Sequence, residues 1–99
     1  MARFDIHRAP AGNGYVLDIQ SDLLDGLTTR VVVPLMPIDD APHPARILNP
    51  VIDLPDGPHV LVTQFLSAVP TSILGASAGN LVDRSDDVTR AVDFLFQGF

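Results

Sequence analysis

Alternation of apolar and polar residues predicts a series of short β-strands along the first three quarters of the chain. In residues 2–8, Phe4 and Ile6 alternate with polar residues, which is typical of a half-buried strand and places His7 on the solvent side. Three consecutive valines at 31–33 fit a strand that is buried on both faces. The predicted strands are 2–8, 15–20, 30–36, 49–54 and 59–65, with an extended segment at 66–74.

Glycine and proline mark where these strands turn. Asn13-Gly14 and Asp56-Gly57 are strong hairpin signals, so the strands that flank each pair should be antiparallel neighbours. Pro34 cannot donate to a strand ladder and predicts a bulge or an edge. Residues 37–46 are predicted to form a rigid, exposed loop, and residues 75–80 a flexible linker.

The last fifteen residues have the pattern of an amphipathic helix. Asp83 or Ser85 is the candidate N-cap, and Asp86 and Arg90 have the spacing of a stabilising ion pair. The apolar stripe is Val88, Ala91, Val92, Leu95 and Phe99. The other two aromatics, Phe94 and Phe96, flank this stripe, so at least one of the three aromatic rings should be exposed or buried by another chain.

These elements predict a mainly β fold with a C-terminal α-helix. Five or six antiparallel strands linked by hairpins, followed by one helix, fit a small β-barrel or a sheet with a packed helix. The length of 99 residues is that of a single domain, spanning residues 1–99.

Leu23 and Leu24 stand side by side in the otherwise polar segment 21–29. Adjacent residues on a strand point to opposite faces, so the two leucines cannot both face inward there. Either one is core and the other is exposed for a partner, or both cap the end of the barrel.

Composition and charge narrow the class of protein. The hydrophobic fraction of 46% supports a folded core, and the absence of cysteine excludes disulfides and thiolate metal sites. The net charge of −6 disfavours direct binding to nucleic acid. No apolar run approaches the length of a membrane helix, and the first residues lack the pattern of a signal peptide, so a soluble cytoplasmic protein without membrane contact is expected.

Motifs for catalysis or metal binding are weak. Asp39, Asp40 and His43 share a proline-rich loop, but three weak ligands without a second histidine are poor evidence for a metal. Asp18 and Asp22 form a pair of a kind that is common on strands and turns. With no phosphate-binding loop and no nucleophile motif, the chain is expected to be a non-enzymatic binding protein without metal or cofactor.

Five segments together resemble the CcdB family of toxins from bacterial toxin–antitoxin systems. They are DIQSDLLD at 18–25, RVVVPL at 30–35, NPVI at 49–52, SAVPTSILG at 67–75 and AVDFLFQGF at 91–99, and Phe4 in the opening strand also matches. The resemblance implies a small SH3-like antiparallel β-barrel with a C-terminal helix, assembled as a two-fold homodimer.

The resemblance also implies a target. Family members bind the GyrA-type subunit of DNA gyrase, which carries the DNA-cleaving tyrosine, and trap the cleaved gyrase–DNA complex. The gyrase-facing positions of the family correspond to Leu23, Leu24, Asp93, Phe96, Gln97, Gly98 and Phe99. Three of them depart from the family pattern: Gln97 replaces a tryptophan, Asp93 replaces an asparagine and Phe99 replaces an aliphatic residue.

A second implied partner is an antitoxin whose disordered C-terminal tail wraps the toxin. Its contacts in the family lie in the first hairpin loop and the loop after the third strand, which correspond here to Arg8, Asn13, Tyr15, His43 and Arg46. Two alternatives remain open. The chain could be a degenerate homologue that binds antitoxin without poisoning gyrase, or a barrel-type endoribonuclease toxin.

Overall fold

The structure, a computed structural model that describes residues 2–98, is an antiparallel β-sheet curled into a half-barrel, with a helix at the C-terminal end. Its strands are β1 (Asp5–Arg8), β2 (Tyr15–Asp18), β3 (Thr29–Pro37), β4 (Val51–Leu54), β5 (Gly57–Leu61), β6 (Ser67–Pro70) and β7 (Ser77–Asn80). The helix α1 spans Ser85–Gln97. The strand order is β4-β5-β3-β2-β1-β7, and β6 also pairs with β3. The predicted fold class, mainly β with antiparallel strands and a C-terminal helix, is confirmed.

Both predicted hairpins form. β1 pairs antiparallel with β2 across the Asn13-Gly14 turn, and β4 pairs antiparallel with β5 across the Asp56-Gly57 turn. Gly14 has a φ of +94°, and a Cβ there would lie 2.3 Å from the carbonyl oxygen of Leu35. Only glycine fits this position, and it lets the first hairpin loop lie against β3.

Strand β3 is longer than the others and has two neighbours along one edge. Its first half pairs with β6 and its second half with β5, while β2 follows the other edge in continuous register. Pro34 lies between the two halves, and its carbonyl accepts a hydrogen bond from Val62 N. A strand residue directs its N–H and C=O to the same side, so the missing N–H of Pro34 falls where β3 exchanges one neighbour for the other. The predicted bulge is absent from the β2–β3 register.

The core lies between the inner face of the half-barrel and α1. Val88 and Ala91 of the helix are fully buried there, as the apolar stripe predicted. The sheet contributes Ile6, Leu17, Val33, Leu35, Ile52, Leu54 and Leu61, with Phe4 and Tyr15 beside them. A smaller cluster of Val16, Val32 and Leu74 covers the opposite face of the sheet. Val32 and Val33 therefore point to different faces and are both buried, as the run of valines predicted.

His7 does not face solvent, so that prediction was wrong. β1 is an inner strand, and residues after Thr71 cover the face to which His7 points, which leaves the side chain 1% exposed. His7 Nδ1 donates to the carbonyl oxygen of Gly75 at 2.8 Å. Residues 75–80 are likewise no linker, because Ser77–Asn80 forms the strand β7 and pairs with β1.

The helix start and the ends of two strands also differ from expectation. α1 begins at Ser85 itself and has Arg84 as N-cap residue, without a side-chain cap. The ion pair of the first turn joins Arg84 to Asp87 at 2.8 Å, and no ion pair between Asp86 and Arg90 is found in the described part of the chain. The predicted strand 59–65 ends at Leu61, and a 3-10 turn follows at Thr63–Phe65. The extended segment 66–74 likewise ends in a 3-10 turn, at Thr71–Ile73.

Candidate functional site

Leu23 and Leu24 project from a 3-10 turn between β2 and β3, called here the dileucine turn (residues 21–25). Ser21 Oγ accepts from Leu23 N at 3.2 Å and caps the turn. Leu23 is 92% exposed and Leu24 is 50% exposed, so neither belongs to the core. Both alternatives drawn from the sequence required at least one buried leucine or a barrel cap. The structure instead presents both to solvent, as an apolar contact surface.

A buried ion pair holds this turn in place. Asp18 and Arg30 are both almost fully buried, and Asp18 Oδ2 accepts from Arg30 Nε at 2.8 Å and Nη2 at 2.7 Å. Asp18 Oδ1 accepts from Gln20 N at 3.0 Å. The Gln20 side chain then donates to Leu24 O and accepts from Val31 N, each at 3.1 Å. A continuous chain of hydrogen bonds thus connects the buried charges to the backbone of Leu24.

Sequence reasoning missed this network. It treated Asp18 as half of an unremarkable pair with Asp22 and counted Arg30 as one of several scattered arginines. One signal was available: Asp18 ends one predicted strand and Arg30 begins the next, so antiparallel pairing brings the two residues to the same end of the sheet. Burial of both charges makes pairing obligatory, because an unpaired buried charge is strongly unfavourable.

The second predicted surface is the end of α1, called here the helix end (Asp93, Phe96, Gln97 and Gly98). Residues three and four positions apart share a helix face, so Phe96 and Gln97 both lie beside Asp93. All four residues are exposed, and Phe96 is 68% exposed, which confirms that one terminal aromatic remains outside the core. Gly98 terminates the helix in the left-handed conformation, with its N–H donating to Phe94 O at 2.9 Å. Phe99 lies outside the described residues.

The dileucine turn and the helix end belong to different elements. Among residues 2–98, no hydrogen bond or ion pair joins them. Each presents apolar side chains to solvent at positions that the sequence singled out. They can act together only as separate patches on a larger contact surface.

A cavity of about 410 Å³ lies beside the first hairpin loop and is called here the hairpin pocket. Residues 9–13 form one wall, residues 34–36 of β3 form another, and Asp40 is the one acidic residue of the lining. Asn13 and Tyr15, two of the residues assigned to antitoxin contact, line it together. An apolar pocket with one carboxylate at its wall suits an apolar side chain of a partner.

Tyr15 connects the hairpin pocket to the second hairpin. Its ring is buried, stacks obliquely on His59 with ring centres 5.4 Å apart, and carries the Arg8 guanidinium 4.8 Å above its centre. Its hydroxyl donates to Asp56 Oδ2 at 3.2 Å. Burial, together with the hydrogen bond to Asp56, raises the pKa of the Tyr15 phenol above its usual value near 10. Arg8 and Tyr15 thus form one unit, whereas His43 and Arg46 are exposed on the separate loop that precedes β4.

The raised pKa of Tyr15 predicts a loss of stability at high pH. The folded protein retains the phenolic proton above pH ~10, where the unfolded chain releases it, so the free energy of unfolding falls as the pH rises past that value. Tyr15 is the only tyrosine, so ultraviolet absorbance of phenolate reports on it alone. We expect the titration to move to lower pH in the Asp56→Ala variant and in urea. A titration unchanged by either would contradict the assigned environment.

Neither a metal cluster nor a membrane-spanning helix is found in the described residues. Among residues 2–98, no three histidine or acidic side chains come together in a way that could hold a metal ion, and this includes the loop with Asp39, Asp40 and His43. No helix in the same range is long and apolar enough to cross a membrane.

Comparison with known protein families gives one match that covers nearly the whole chain. Residues 3–98 match the family model described as CcdB protein. The matched range includes the dileucine turn, the hairpin pocket and the helix end as far as Gly98.

Proposed function

Because this chain belongs to the CcdB family, we propose that it is the toxin of a type II toxin–antitoxin module that binds the DNA-cleaving subunit of gyrase and traps the cleaved gyrase–DNA complex. The observation that carries the proposal is family membership over residues 3–98. Exposure of Leu23, Leu24 and Phe96, at positions that face gyrase in the family, supports it.

The proposed mechanism is occupation rather than chemistry. Exposed apolar side chains at the centre of an interface supply most of its binding free energy, and Phe96 and Leu23 have the exposure required for such anchors. The buried pair Asp18–Arg30 keeps the dileucine turn rigid before binding, which lowers the entropy lost on association. In this proposal the toxin acts as a two-fold dimer, so each patch occurs twice.

Neutralisation is assigned to the opposite hairpin region. We propose that the disordered tail of an antitoxin inserts an apolar side chain into the hairpin pocket and contacts Arg8, Asn13, Tyr15, His43 and Arg46. The pocket volume of about 410 Å³ is sufficient for one large side chain. Because this surface includes neither the dileucine turn nor the helix end, tail binding and gyrase binding use different residues.

Incubation of the purified protein with gyrase, ATP and supercoiled DNA tests the proposal. Trapped linear DNA is expected after denaturation of the enzyme, together with direct binding to an isolated fragment of the DNA-cleaving subunit. Neither cleavage nor binding would refute the gyrase assignment for that enzyme.

A second function, a homologue that binds antitoxin but does not poison gyrase, is favoured by one observation. Gln97 is exposed at the position where the family has its stacking tryptophan, and the chain has no tryptophan elsewhere. Expression without antitoxin separates the two functions, since growth arrest would reject the inactive form.

Gln97→Trp is expected to strengthen gyrase binding by about ten- to thirtyfold. A central aromatic anchor contributes roughly 2 kcal/mol, and residue 97 already lies on the exposed face of the helix end. The measurement is the protein concentration that produces half-maximal cleavage. Asp39→Trp, which adds the same ring in an exposed loop, is the control; equal gains in both variants would remove Gln97 from the site.

A further inference from the structure

A cleft of about 340 Å³ lies where residues 45–51 meet the start of α1. Arg46 lines it from the loop, and Arg84 and Arg90 line it from the helix side. These are three of the six basic residues in a chain with a net charge of −6, and Asp87 is the one acidic residue of the lining. The cleft therefore carries an excess of positive charge that the protein as a whole does not.

Two of these arginines have unused hydrogen-bonding capacity. Arg84 is held in place, with Nε donating to Asp87 Oδ2 at 2.8 Å and Nη2 donating to Val51 O at 3.3 Å. Arg46 and Arg90 are both exposed, and neither forms a side-chain hydrogen bond or an ion pair with another residue in the range 2–98. Guanidinium groups in this state are suited to bind carboxylates in a bidentate manner.

The loop that carries Arg46 is strained at the next residue. Ile47 has a φ of +69°, which is rare for a β-branched side chain. Leu48 N donates to Arg46 O at 2.7 Å across it and closes a tight γ-turn. Ile47 remains 46% exposed beside the partly exposed Val51. Burial does not compensate for this strain, and uncompensated strain of this kind concentrates at functional sites.

We propose that this arginine cleft docks an acidic, extended peptide segment of a partner protein. Carboxylates of the segment bind Arg46 and Arg90, with Arg84 as a fixed third cation, and one apolar side chain packs between Ile47 and Val51. Charge complementarity selects this occupant. A peptide that alternates acidic and apolar residues matches both features of the cleft, whereas a nucleic acid would meet the negative field of the whole protein.

Docking at the cleft does not depend on gyrase binding. The cleft shares Arg46 alone with the residues proposed for the antitoxin, and Ile47, Arg84 and Arg90 belong to neither surface of the proposed function. Docking can therefore fail or succeed independently of gyrase poisoning.

Fluorescence anisotropy with two capped, labelled peptides tests the proposal on the full chain. One peptide alternates glutamate and leucine, and the other alternates lysine and leucine. The acidic peptide is expected to bind, and added NaCl should weaken binding. The double variant Arg46→Gln/Arg90→Gln is expected to lower affinity about tenfold, because each partly exposed ion pair contributes roughly two- to fivefold.

The control variant Arg3→Gln/Arg8→Gln removes the same charge outside the cleft and should change affinity less than about twofold. Equal losses in the two double variants, equal binding of the basic peptide, or no binding by the unaltered protein would each overturn the proposal. Tighter binding of a short DNA duplex or inorganic phosphate than of the acidic peptide would also overturn it, in favour of a phosphate site.

Ile47→Gly separates docking from folding. Glycine adopts a positive φ without strain, so the midpoint of urea unfolding is expected to rise, while affinity for the acidic peptide falls several-fold with the loss of the apolar side chain. Higher stability with unchanged affinity would contradict the role given to Ile47.

Discussion

Replacing Asp18 with alanine is expected to lower the free energy of unfolding by about 3–5 kcal/mol. The substitution leaves the Arg30 guanidinium buried without its carboxylate, and the backbone N–H of Gln20 loses its acceptor. A small domain has a total stability of roughly 5–15 kcal/mol, so the variant should be close to unfolded at moderate temperature. Urea denaturation followed by circular dichroism measures the difference.

Two variants test whether the buried charge is the cause. Asp53→Ala removes an exposed aspartate from β4 and should change the free energy of unfolding by less than about 0.5 kcal/mol. The double variant Asp18→Leu/Arg30→Met replaces both charges with apolar side chains and should recover most of the lost stability. A single variant as stable as the unaltered protein would show that the pair does not hold the fold.

Phe96→Asp is expected to lower affinity for gyrase by about a hundredfold, which corresponds to roughly 3 kcal/mol. The substitution removes an exposed ring from the helix end and adds a negative charge beside Asp93. Stability should change little, because the Phe96 side chain is not part of the core. Cleavage of supercoiled DNA by gyrase, measured against toxin concentration, gives the effect.

Phe65→Asp is the matched control for this variant. Phe65 is also about half exposed, but it lies on the 3-10 turn after β5 and outside both proposed gyrase-facing patches. It should retain activity in the same assay. Loss of activity in both variants would indicate a general effect of exposed acid on this face of the protein, and retention in both would exclude the helix end.

Local rules predicted the elements whose sequence signal does not depend on distant residues. Asn13-Gly14 and Asp56-Gly57 specify their hairpins through backbone conformations that few residues adopt, and the structure has both. The stripe with Val88 and Ala91 specified the buried face of α1 in the same way. Each of these signals lies within a few residues of the feature that it predicts.

Features that depend on a third element were missed. Alternation assigned His7 to solvent because it assumes that one face of a strand stays open, but residues that follow β6 cover that face. The strand Ser77–Asn80 has no large apolar side chain, and its pairing with β1 rests on backbone groups that every sequence possesses. For the candidate site, the pattern predicted exposure of Phe96. The support of the dileucine turn by Arg30 required knowledge of which strands are adjacent.

The pairing of β7 with β1 also bears on the order in which the chain acquires its structure. Asp5 is registered against Asn80, so the outer edge of the first strand has no partner until nearly the whole chain has been synthesised. Contacts of such long sequence separation slow folding, because the entropy of closing a long loop is lost before the contact contributes. A ribosome-bound chain that lacks its last twenty or so residues also lacks α1, and its core is open on the side that the helix covers. The helix end therefore becomes available only at the completion of synthesis.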